Sequence, residues 1–137
     1  MMKKRNISIL WIVLFAFMAC STNSEEEEMQ QVLEEIIDPA LVGTWSGEIS
    51  GSFGDATATF ILKSDGKTDL TVEEGSSNYC PIPNLRWYVL GTNFKMQGND
   101  QCHGTLVNFN APYSKTKLVG NWSASSGNSG SFTLTKQ

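Results

Sequence analysis

Few side chains in this chain are equipped for covalent or acid–base chemistry. His103 is the single histidine, so a multi-histidine metal centre is excluded. Asp100-Gln101-Cys102-His103 places a carboxylate beside an imidazole, but two weak ligands in a polar loop fall short of a metal site. Asp65, Asp69, Glu73 and Glu74 cluster around one turn. Glycoside hydrolysis needs two carboxylates facing each other across a cleft, and solvated strand faces account for these four better. No Gly-x-Ser-x-Gly nucleophile motif, phosphate-binding loop or cofactor motif is present. The expectation is a non-catalytic protein without metal or cofactor. Three cysteines remain, Cys20, Cys80 and Cys102, and the odd count asks for two different uses.

The first of them stands at a boundary. Lys3-Lys4-Arg5 precedes an apolar run over 7–19 in which only Ser8 is polar. Thirteen residues suit the core of a signal peptide, whereas a membrane-spanning helix needs about 20. The run closes on Phe17-Met18-Ala19-Cys20. This layout resembles the signal peptide of bacterial lipoproteins. The resemblance implies removal of residues 1–19 and lipid attachment at Cys20, anchoring the chain to the membrane. Ala19-Cys20-Ser21 also offers an ordinary cleavage site that would release a soluble protein. In that family a non-acidic residue after the cysteine, here Ser21, implies the outer membrane. Glu25–Glu28 then resembles an export signal to the cell surface. With Cys20 lipidated, Cys80 and Cys102 are left as a pair, and an oxidising envelope makes a disulfide the expectation.

Residues 20–38 read as a tether. Ser24 with Glu27 forms a capping box, and Met29, Val32, Leu33, Ile36 and Ile37 recur with helical spacing up to Asp38-Pro39. A short amphipathic helix docked on the following domain is expected. Residues 21–38 carry seven acids and no base, while 39–137 carry seven of each. A neutral domain without a basic cluster argues against nucleic acid as a partner.

No helical period follows Pro39. Short alternating segments recur with turn residues between them, which predicts eight strands over 44–52, 55–63, 68–74, 85–90, 93–97, 104–110, 116–124 and 130–136. The alternation puts Trp45 and Ile49; Ala56, Ala58, Phe60 and Leu62; and Leu70 and Val72 on inner faces. Leu85, Trp87 and Val89; Phe94 and Met96; Val107 and Phe109; Leu118 and Trp122; and Phe132 and Leu134 continue the set. Short connections predict an all-β, antiparallel up-and-down eight-stranded barrel over 39–137, with a two-layer sandwich as the alternative. In such a barrel alternate connections share one end. The connections holding Cys80 and Cys102 therefore meet, and the tether enters at the opposite end.

Gly43-Thr44-Trp45 opening the first strand resembles the lipocalin-like (calycin) superfamily. Gly120-Asn121-Trp122 leading to Gly130-Ser131-Phe132 is similar to the closing hairpin of small lipocalin-like and avidin-like barrels. The resemblance implies a tryptophan plug at a closed base, for which Trp45 and Trp122 are the candidates, and a ligand site at the open end. There the long connections offer Phe53, Asn78, Tyr79, Ile82, Asn99 and His103 as ligand-binding candidates, with 125–129 completing the rim. The expected function is binding of a small or apolar ligand. The alternative is a protein-interaction role, as an envelope protease inhibitor or an accessory subunit of a surface complex.

Overall fold

Alternation of apolar and polar residues dictates the architecture. In a strand successive side chains point to opposite faces, so a period of two gives each strand one face to bury. The computed structural model describes residues 33–52, 54–73 and 79–137. The signal peptide, Cys20 and the acidic run of the tether lie outside them. Within the unit Glu34–Gln137, nine antiparallel strands form one curled sheet. They are β1 (Glu35–Ile36), β2 (Gly43–Gly51), β3 (Ala56–Leu62), β4 (Thr68–Val72), β5 (Arg86–Leu90), β6 (Asn93–Asn99), β7 (Leu106–Pro112), β8 (Lys117–Ala124) and β9 (Ser129–Lys136). Their order across the sheet is β1-β5-β6-β7-β8-β9-β2-β3-β4. Strands β2 to β9 are the eight expected segments, in up-and-down sequence. The last pairs with the first, from Trp45 opposite Lys136 to Gly51 opposite Gly130. A sandwich is thereby excluded.

The wall is a half-barrel rather than a closed cylinder. Strands β4 and β5 meet only where they begin, through the Lys67–Arg86 bridge. Flanking bonds run from Thr68 N–H to Leu85 O (2.9 Å) and from Trp87 N–H to Gly66 O (2.8 Å). Beyond that point the chain preceding β5 leaves β4 and follows β6. Gln101 N–H donates to Pro81 O at 2.8 Å, and Asn99 N–H to the Asn84 side-chain oxygen at 2.9 Å. Pro81 and Pro83 have no N–H to give a ladder, so this stretch cannot become a strand.

The free edge at the far end of β5 is taken by β1, with Glu35 opposite Leu90 and Ile36 opposite Val89. This corrects one expectation. The amphipathic helix lies largely outside the described residues, but its stripe does not reach Ile36 and Ile37 as helix. Ile36 is in β1 and is 55 % exposed, Ile37 is not helical, and of the two only Ile37 packs on the core. An unpaired strand edge beside a short chain favours two ladder pairs over the last turn of a marginal helix.

Among the described residues the only helical piece is a single 3-10 turn, Pro39–Leu41, which seals the base. Asp38 caps it by accepting from Ala40 N–H at 2.9 Å. The Tyr113 hydroxyl donates to the same carboxylate at 2.6 Å. These two bonds hold the Asp38 carboxyl below its usual range, and the partner carboxylate raises the Tyr113 phenol. Leu41 is buried beneath the turn, and the indole N–H of Trp45 donates to Leu41 O at 2.9 Å. Lys136, opposite Trp45 on β9, donates to Ala40 O at 2.7 Å. Above this floor Phe109 meets Phe60 and Phe132 edge-on, at centroid distances of 5.8 and 5.6 Å. The three rings fill the waist of the barrel.

Candidate functional site

At the end opposite the 3-10 turn, the connections after β2, β4, β6 and β8 converge. Cys80 and Cys102 are bonded there, with Cα atoms 5.7 Å apart. The bond ties the proline-bearing stretch before β5 to the β6–β7 turn. A glycine lets that stretch lie close against the sheet. Gly98 on β6 has no side chain, and a Cβ there would stand 2.7 Å from Ile82 Cγ2 and 2.9 Å from Leu85 Cα. Glycine is thus required for the stretch to lie against β6.

Below the disulfide lies a cavity of about 330 Å³. Phe109, the central ring of the waist, forms its floor. Ile49, Ala56, Leu70, Val72 and Val107 make apolar walls, and Ile82 closes the side toward β5. Trp122 completes the wall. Its ring lies over the glycine pair Gly51 and Gly130, where added Cβ atoms would approach the indole to 2.9 and 2.6 Å. Its N–H donates to Ser50 O at 3.0 Å. Trp122 therefore stands at the open end, not at the base, which corrects the expectation drawn from Gly120-Asn121-Trp122. It occupies the last third of β8, nearest the connection to β9. Trp45 alone of the two sits over the 3-10 turn.

The mouth is polar. Asp100, Thr105, Ser126 and Asn128 stand on it with Tyr79 and His103. The inward phase of β6, Phe94, Met96 and Gly98, continues to Asp100 and carries its side chain to the cavity, where it is 10 % exposed. Its two oxygens accept from His103 N–H at 2.7 Å and Thr105 N–H at 3.0 Å. The bond from His103 contributes most to holding the carboxyl below its usual range, against the opposing effect of burial. The His103 ring is exposed, with Nδ1 3.5 Å from the same carboxylate. Burial pushes the Tyr79 phenol up, partly offset by a bond with the Ile82 backbone.

Of the expected ligand-binding residues, the structure brings Tyr79, Ile82 and His103 to one cavity. Asn99 is not among them. It follows Gly98 by one position, so it faces outward, and its amide donates to Gly104 O at 3.0 Å. Phe53 and Asn78 lie outside the described residues. Asp100 is not among the ligand-binding residues expected from the sequence, where it stands only as a weak ligand short of a metal site, and its place in the inward phase of β6 is the signal for a cavity role.

Cys80, Asp100 and Cys102 bring their ligand atoms within 4.8 Å of one another. The two sulfurs are bonded to each other, which leaves one carboxylate, too few donors for zinc or calcium.

No protein-family model, no curated protein and no solved structure matches this chain.

Proposed function

We infer that this protein is a cell-envelope lipoprotein whose lipocalin-like barrel binds a small, mainly apolar molecule and does no chemistry on it. One observation carries the binding reading. An apolar cavity of about 330 Å³ opens at the end where the longest connections meet. Ligand pockets of small molecules are of about this size and are lined the same way, with few polar groups at the rim. Burial of apolar ligand surface drives such binding at roughly 25 cal/mol per Å².

The test uses a neutral apolar dye, N-phenyl-1-naphthylamine, titrated into the disulfide-bonded protein. Saturable fluorescence enhancement is expected. Ala56→Phe, which fills the cavity from its wall, should weaken the dye by about tenfold or more, the order expected when apolar contacts are excluded. Absence of saturable binding by the parent protein overturns the reading.

Lipid attachment rests on the sequence alone, on Cys20 behind its apolar run. Two or three acyl chains on one residue make a stable anchor, at about 0.8 kcal/mol per buried methylene. Cys20→Ser should move the protein out of the outer-membrane fraction, or leave it uncleaved. Unchanged fractionation and processing would refute the anchor.

A second reading, a protein partner in the envelope, draws on the outer face of β6, β7 and β8. Gln97, Asn108 and Ser123 form one cross-strand row there, and Lys95, Asn110 and Asn121 another. They line a shallow depression. A dye-free barrel would shift the weight to this face.

A further inference from the structure

We propose that the cavity selects a ligand with an ammonium head on an apolar body, and that Asp100 is the counter-ion of that head. The proposal rests on the cavity being a ligand site and adds the chemical class.

Residues 39–137 carry seven lysines and arginines, and none lies in the connections at the open end. Lys63 and Lys67 flank the turn between β3 and β4, and Lys115 and Lys117 the turn between β7 and β8. Arg86 bridges to Lys67, Lys95 stands near the start of β6, and Lys136 ends β9. None of the seven lines the cavity. The described connections at the open end hold Asp55, Glu73 and Asp100, with His103 as their only basic side chain. A mouth of this composition presents negative potential over apolar walls, and low-dielectric walls concentrate the field.

Asp100 is the one acid of the three that lines the cavity and is shielded from water. A carboxylate near an apolar pocket is costly unless its charge is stabilised. Here two backbone N–H groups and the Thr105 side chain keep it ionised, which uses three of the about four acceptor positions a carboxylate offers. Among the described residues no lysine or arginine lies within ion-pair distance of it, and the imidazole of His103 is its only partner of that kind. An alkyl or aryl ammonium would place its charge at Asp100 and its hydrocarbon against Val72, Val107 and Phe109. A carboxylate-headed ligand such as a fatty acid would meet the same mouth with like charge and no cation to neutralise it.

The experiment displaces bound N-phenyl-1-naphthylamine with three ligands of one chain length: octylammonium, octanol and octanoate, at pH 7.5 and low salt. Octylammonium should compete best, by about tenfold over octanoate, with octanol between them. The margin should shrink as salt is raised. Asp100→Asn should bring the three together. Because Asp100 also caps the β6–β7 turn, the comparison among ligands on the parent protein stands by itself if that variant folds poorly. Equal competition by the three, or preference for octanoate, overturns the proposal while the cavity reading stands. Failure of the dye to bind overturns both.

Discussion

Trp45→Ala is expected to lower stability by about 3–5 kcal/mol, the usual cost of deleting a large buried aromatic. Trp45 is fully buried between Phe60 on β3 and Lys136 on β9. Removing the indole leaves a void under the 3-10 turn and takes away the donor for Leu41 O. That carbonyl is then buried without its partner, which adds to the packing loss. The turn is also held by Lys136 on Ala40 O and by the Asp38 cap, so the base loses one of three fastenings. Domains of this size have total stabilities of about 5–15 kcal/mol, so the variant should be close to unfolding. Denaturant melts should show the midpoint falling with little change in slope. Trp45→Phe should recover part of the loss. A change below about 1 kcal/mol would mean that the base does not depend on this plug.

The paired substitution Cys80→Ser with Cys102→Ser is expected to cost about 3 kcal/mol. The two residues are 22 apart in sequence, and cross-linking a loop of that length removes conformational entropy from the unfolded chain. The effect on the site should exceed the effect on the core. Toward β4 the stretch before β5 has no strand ladder beyond Thr68 and Leu85. Without the disulfide it is held by Gln101 N–H on Pro81 O, the Asn84 side chain, and Ile82 and Leu85 against Gly98. Hydrogen exchange should accelerate over 79–85, while β7, β8 and β9 stay protected. Dye affinity should fall because Tyr79 and Ile82 leave the mouth. Unchanged melting together with unchanged exchange would refute a structural role for the bond.

Most of the fold was legible because its cause is local. Period-two alternation recurs in every long strand, and the inward sets it named, from Trp45 and Ile49 to Phe132 and Leu134, all face the interior. The meeting of Cys80 with Cys102 needed only the parity of an up-and-down sheet. Strand β1 was not legible in this way. Two residues are too few to carry a pattern, and Glu35–Ile36 pairs because the far end of β5, Val89 and Leu90, runs past the start of β4 and has a free edge.

The candidate site divides along the same line. Membership of the open end could be read for Tyr79, Ile82 and His103 from the connections that carry them. Trp122 was misplaced because a Gly-Asn-Trp resemblance outweighed its position late in β8, where tryptophan covers Gly51 and Gly130. Asn99 adjoins the same turn, but one step of strand phase separates it from inward Gly98 and Asp100. By itself the sequence determined strands, inner faces, disulfide partners and the end of the barrel where long connections gather, because these follow from residue spacing and chain direction. Only the tertiary structure decided that the interior is packed below Phe109 and forms a cavity above it, that the wall stays open between β4 and the chain before β5, and that Asp100 reaches the cavity with no lysine or arginine beside it among the described residues. Those outcomes depend on side-chain volumes and charges summed over strands distant in sequence, which no local pattern records.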